Sequence, residues 1–98
     1  MEIIKTVNTD SLEIALEGRL DTTTAPALEA AIKESIDGTK TLTLDFAKLE
    51  YISSAGLRVL LSAQKIMNKQ GSMTVKNVCA DIMEVFEITG FSDILTVE

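Results

Sequence analysis

Leu49-Glu50-Tyr51-Ile52-Ser53-Ser54-Ala55-Gly56-Leu57-Arg58-Val59-Leu60-Leu61 places two serines and a glycine where one periodicity replaces another. Upstream, Thr41-Leu42-Thr43-Leu44-Asp45-Phe46 alternates with a period of two, the pattern of a half-buried strand. Downstream, Val59, Leu60, Ala63, Ile66 and Met67 recur at helical spacing. A strand therefore runs into a helix across Ser53 and Ser54. Serine suits that junction because its hydroxyl accepts a hydrogen bond from a free N–H of the first helical turn. The same place puts a hydroxyl near the surface at the positive end of the helix dipole, where an added phosphate is tolerated. A bare helix cap and a modifiable hydroxyl are both open at this point.

Working outward, Glu2 to Val7 reads as an edge strand, followed by an Asn8-Thr9-Asp10-Ser11 turn. Leu12-Glu13-Ile14-Ala15-Leu16-Glu17 alternates cleanly, so one face is buried and the other wet. Gly18-Arg19-Leu20-Asp21 then leads through three threonines into Ala25-Pro26, and proline belongs in the first turn of a helix. That helix carries Leu28, Ala31, Ile32 and Ile36 as its apolar stripe and ends at Asp37-Gly38-Thr39. Beyond the serine-headed helix, Gly71 is expected to form a left-handed cap. Ser72 to Lys76 alternates as the last main strand, and a helix from about Ala80 to Thr89 buries Ile82, Met83 and Phe86 before Gly90 stops it. The apolar tail, Phe91 to Val97, is expected to dock on the body. The order strand-strand-helix-strand-helix-strand-helix implies an α/β sandwich, its helices on one face of a mixed sheet.

Ninety-eight residues suffice for one core, so residues 1–98 are expected to be a single domain. The hydrophobic share of 46% and the charged share of 24% are those of an ordinary soluble globule. A net charge of −6 argues against nucleic acid, which needs a basic stripe, and against anionic membrane surfaces. No apolar run approaches the roughly 20 residues of a membrane span, and the first residues do not form a signal peptide. With a single cysteine, Cys79, there is no internal disulfide or metal cluster to build, and a cytoplasmic protein fits best.

Catalysis finds little support. The chain has no histidine, which removes a Ser-His-Asp triad and the commonest metal ligand together. No Ser-x-x-Lys spacing follows Ser53 or Ser54, and no glycine-rich phosphate loop occurs. The fifteen carboxylates are scattered as on a solvated surface. Cys79 reads as a small helix-entry residue. No enzyme, cofactor or metal site is expected.

Three stretches in order carry a resemblance: Gly18-Arg19-Leu20-Asp21 before the proline-containing helix, Leu44-Asp45-Phe46 running into Tyr51-Ile52-Ser53-Ser54-Ala55-Gly56-Leu57, and Val85-Phe86-Glu87-Ile88-Thr89-Gly90-Phe91. Together they resemble a STAS domain, in particular the bacterial anti-sigma factor antagonists. The resemblance covers essentially the whole chain. It implies a four- or five-stranded sheet with helices on one side. It also implies partner switching: the antagonist binds an anti-sigma factor that is itself a serine kinase, freeing a sigma factor for transcription, and phosphorylation breaks the complex until a serine phosphatase reverses it. In the family motif the target lies two residues before the glycine, which makes it Ser54, with Ser53 the second choice. Ser53 itself stands where the family carries an aspartate. STAS domains also occur as structural subunits of ABC-type lipid transport complexes, the alternative this resemblance leaves open.

A phosphoserine would add about −1.5 to −2 charges and three strong acceptors. At the first turn of a helix it would not unfold the protein, and Arg58, four residues on, is placed to reach back to it. The disruption would fall on a partner surface built around a neutral hydroxyl. The candidate partner-binding residues are Asp21, Ser53, Ser54, Gly56, Leu57, Arg58 and Leu61. For Leu57 and Leu61 core packing is the competing expectation, and for Asp21 a helix cap.

Overall fold

The computed structural model describes residues 1–98. Glu2–Val7 forms β1, Ser11–Leu20 β2, Ala25–Ser35 α1, Thr41–Ile52 β3, Ser54–Gln70 α2, Ser72–Lys76 β4 and Ala80–Thr89 α3. A 3-10 turn at Phe91–Asp93 then leads to a short β5, Thr96–Val97. The five strands stand side by side in chain order, with β1 antiparallel to β2 and every later pairing parallel. The sheet is therefore mixed, as the alternation of elements required. The tail docks as expected, by laying Thr96 and Val97 beside Thr74 and Val75.

The period-2 pattern sorts the two faces. Leu12, Ile14 and Leu16 of β2, Leu42, Leu44 and Phe46 of β3, and Met73 and Val75 of β4 are all buried. Leu28 and Ile32 of α1, Leu60, Ala63 and Met67 of α2, and Ile82 and Phe86 of α3 meet them in one apolar cluster. Met83 and Ile66, both expected inside, are only partly buried against it. On α1 the proline sits in the first turn, and on α3 Gly90 ends the helix in the left-handed region at φ 81°. Gly71 does not. Its φ of 179° is extended backbone, so the expected left-handed cap is wrong. Glycine is needed there for a different reason: a side chain would overlap the Lys40 carbonyl.

β3 is twice as long as its clean alternation, because its pairing with β2 slips twice. Asp45 faces Ala15 but Lys48 faces Glu17, and Leu49 faces Gly18 while Tyr51 faces Arg19. At each slip β3 carries one extra residue, a bulge that bends the strand. Asp45 secures the first: its Oδ1 accepts from the Asn77 Nδ2 amide and from the Ala47 N–H, each at 3.0 Å. The Asn77 hydrogen bond above all, then the Ala47 N–H and the nearby Lys76 charge, hold the Asp45 carboxyl below the usual carboxylate range. Lys76 is itself pushed up, chiefly by its hydrogen bond to Glu13.

A lowered folded pKa makes Asp45 stabilising above its unfolded value of about 4. That contribution is lost as pH falls through the lowered folded pKa. Asp45→Asn is therefore expected to reduce the urea midpoint at neutral pH, and its difference from wild type should shrink as pH falls below the ordinary carboxylate range. A difference that stayed constant over that range would show that the Asp45 charge plays no part.

Candidate functional site

The β3–α2 junction separates the two serines by geometry. Ser53 is the N-cap of α2, in extended backbone at φ −98° and ψ 175°, and its Oγ accepts from the Gly56 N–H at 3.3 Å. Its own N–H donates to the Leu20 carbonyl at 2.8 Å, which ties the helix start to the end of β2. Ser54 is the first helical residue and is exposed. The Ser53 hydroxyl is thus engaged as the cap, and the Ser54 hydroxyl faces solvent.

Gly56 and Leu57 do not belong to the surface. Gly56 is buried, and a Cβ on it would lie 2.7 Å from Leu20 Cγ and 2.9 Å from Ile52 Cγ1. Such distances force a neighbour to move, so glycine lets the first turn of α2 rest directly on the ends of β2 and β3. Leu57 is 7% exposed and takes the core alternative. Leu61 is half-buried and Arg58 exposed. Spacings of four and seven residues put Ser54, Arg58 and Leu61 on one face of α2. That stripe is what remains at the surface of the candidate residues expected on α2.

Asp21 is not the cap of α1 that was expected; its carboxylate closes the threonine turn ahead of the helix. The N-cap of α1 is Thr24, whose side chain makes no capping bond. Asp21 Oδ1 instead accepts from the Thr23 N–H at 3.0 Å, the Thr24 N–H at 3.1 Å and the Thr23 hydroxyl at 2.7 Å. The Thr23 hydroxyl first, with the Thr24 and Thr23 N–H groups behind it and against a desolvation cost, holds this carboxyl below its usual range. Thr24 Oγ1 donates to the Arg19 carbonyl at 2.9 Å, closing the loop on the end of β2. Leu20 connects this loop to the Ser53 N–H, so Asp21 and the serines are placed by one piece of backbone.

One feature escaped the sequence. Arg19 lies over the ring of Tyr51, with its guanidinium carbon 4.1 Å from the ring centroid. Their pairing depends on the second bulge of β3, which no local pattern encodes.

A five-stranded mixed sheet with three helices, and a serine heading the helix that follows the central strand, define a class of regulatory domain. The chain belongs to the STAS-domain family, on the side of its anti-sigma factor antagonists. The family model described as "Mlab, STAS domain" matches residues 5–96. A candidate anti-sigma factor antagonist of Bordetella bronchiseptica, BtrV, is 41% identical over 90% of this chain and 78% of its own length. The anti-sigma-B factor antagonist of Listeria monocytogenes is 32% identical over 97% of this chain and 85% of its own. Among solved structures, the anti-sigma factor antagonist SpoIIAA in its unphosphorylated form superposes with a TM-score of 0.79 at 20% identity, over 99% of this chain and 87% of that one. The Bacillus cell fate determinant SpoIIAA in its phosphorylated form superposes at 0.77 and 20% identity, over 99% and 91%. At such identities the likeness is one of fold. No helix of this chain is long and apolar enough to cross a membrane.

Proposed function

We propose that this chain is a cytoplasmic anti-sigma factor antagonist whose grip on its partner is set by phosphorylation of Ser54. Its partner is an anti-sigma factor with serine-kinase activity, and a serine phosphatase restores the binding form. Sequestering the anti-sigma factor frees a sigma factor for transcription. The chain acts by binding and performs no chemistry of its own. The observation that carries this reading is the division of labour at the junction: Ser53 is occupied as the helix cap, and Ser54 is exposed one residue on. A kinase acting at Ser54 leaves the cap in place, whereas modification of Ser53 removes it.

Phosphate at Ser54 also meets the free N–H groups and positive dipole end of α2, so the fold tolerates it. The partner surface does not, because its contacts are formed against a neutral hydroxyl. The test is incubation of the chain with ATP and a kinase-type anti-sigma factor that co-purifies with it, followed by peptide mass spectrometry. Phosphate is expected on Ser54 in preference to Ser53. Phosphate on Ser53 alone would sink the assignment, and no transfer at all would favour a structural subunit of a lipid transport complex.

A further inference from the structure

The positive charge of this acidic protein is unevenly placed. Of its seven lysines, those at positions 5, 33, 48 and 76 form ion pairs with glutamates. The other three are Lys65 and Lys69 on α2, and Lys40, whose carbonyl accepts the Ser72 N–H just beyond the end of that helix. α2 holds no aspartate or glutamate in its 17 residues, although the chain has fifteen. Steps of four, seven and four residues carry one stripe from Ser54 through Arg58 and Lys65 to Lys69. All four are exposed, and their stripe lies opposite the Leu60, Ala63 and Met67 stripe that joins the core. The helix dipole favours Lys69 in the last turn but not Arg58 in the second, so it does not account for the stripe.

Beside this stripe, on its α1 side, the two helices do not close over their seam. One recess of about 200 Å³ opens between Ala25 and Pro26 of α1 and Ala55, Arg58 and Val59 of α2. A second, of about 100 Å³, opens between Ile32 and Lys33 of α1 and Ser62, Ala63 and Ile66 of α2. Glu29 and Val59 line both, so the recesses form one groove. Its apolar lining of alanine, proline, valine and isoleucine suits aliphatic side chains. Its one carboxylate, Glu29, is paired with Lys33 at 3.5 Å. An apolar groove with a cationic rim is complementary to an amphipathic acidic helix and mismatched to a basic one.

We infer that the groove between α1 and α2 takes an acidic amphipathic helix of the protein partner, with apolar side chains in the two recesses and carboxylates along Arg58, Lys65 and Lys69. This deepens the proposed function and rests on its placing of Ser54 at the partner surface. Ala55 of the first recess adjoins that serine, and Arg58 stands one turn beyond it. Phosphate at Ser54 brings about −1.5 to −2 charges to the head of a stripe of three cations, within reach of Arg58. The modification therefore cancels much of the attraction for an acidic helix and leaves the groove lining unchanged.

The probe is a capped helical tetradecapeptide with two leucines one turn apart and glutamate and alanine elsewhere. It is titrated into the chain at low salt and followed by nitrogen-15 NMR. Shifts are expected along Ala55, Arg58, Val59 and Ser62 of α2 and along Glu29 and Ile32 of α1. Arg58→Gln and Lys69→Gln should each weaken the peptide about 2- to 5-fold, the range of an exposed ion pair. Ser62→Glu, an exposed change at the rim of the groove, should weaken it about tenfold or more. Replacing the peptide's leucines with alanine should also cost about tenfold, and phosphoserine at position 54 should weaken binding further than either glutamine variant. No shifts, shifts centred off the groove, or binding indifferent to the leucines or to Ser62→Glu would overturn the inference. So would shifts of the same residues with phosphatidylglycerol vesicles but not with the peptide, which would make the stripe a lipid contact. A second measurement separates the groove from the reading beneath it. An anti-sigma factor that binds wild type and the Arg58→Gln, Ser62→Glu double variant equally overturns the groove but leaves the antagonist role standing. If no anti-sigma factor binds wild type, the antagonist role falls, and the peptide titration still decides the groove.

Discussion

Leu44→Ala is expected to remove about 2–5 kcal/mol from the free energy of unfolding, the range for a fully buried leucine truncated in a tight core. Leu44 is 0% exposed and lies in the middle of the central strand. Its neighbours across the sheet, Ile14 on β2 and Val75 on β4, are also fully buried, so no solvent is at hand to fill the cavity. For a domain whose whole stability is about 5–15 kcal/mol, this is a large fraction. Thr43→Ala, one residue away on the opposite face, should change stability by no more than about 0.5 kcal/mol. Urea midpoints of the three proteins decide it. A Leu44→Ala midpoint equal to wild type would mean that β3 does not turn Leu44 inward.

Ser54→Asp is expected to bind the anti-sigma factor at least about tenfold more weakly while melting near the wild-type temperature. A carboxylate carries one negative charge and only part of a phosphate's shape. Negative charge in the first turn of a helix contributes about 0.3–1 kcal/mol of stability, so the fold should not suffer. A like-charged or newly desolvated contact across an interface can cost several kcal/mol, and about 1.4 kcal/mol is already one decade in affinity. Ser54→Ala removes the acceptor of phosphate but not the Ser53 cap, so it should bind as wild type does and stay bound in the presence of kinase and ATP. Calorimetry on the three proteins tests both halves. Equal affinity for wild type and the Asp variant would make charge at this position irrelevant to binding.

The sequence showed most of the fold because its signals are local. Leu12-Ile14-Leu16 and Leu42-Leu44-Phe46 alternate without interruption, and the boundaries of β1 and β4 followed from the same pattern. The second half of β3 was hidden. Its two extra residues break the alternation after Phe46, and a bulge is decided by the neighbouring strand. The site divided along the same line. That a serine caps α2 followed from residue type and position, as did the surface placement of Ser54, but the structure decided that the cap is Ser53. Gly56 was misplaced at the surface, and Leu57 was left open between surface and core, because their surroundings are set by the ends of β2 and β3, not by α2. Likewise the Arg19–Tyr51 stack joins residues 32 positions apart and has no trace in either stretch alone.

The order of the sheet has a bearing on how the chain assembles as it is made. Each strand lies beside the one synthesised before it, from β1 through β5. No segment must wait for a distant C-terminal strand to be slotted between two earlier ones, so native pairings can accumulate from the N-terminal side during synthesis. The growing edge is always the latest strand, and a helix follows each of β2, β3 and β4. The Ser53–Ser54 junction needs only β2, β3 and the first turn of α2, all complete well before α3 appears. A nascent chain can therefore bring Ser53 and Ser54 to their place at the end of β3 while the last third of the sequence is still being added.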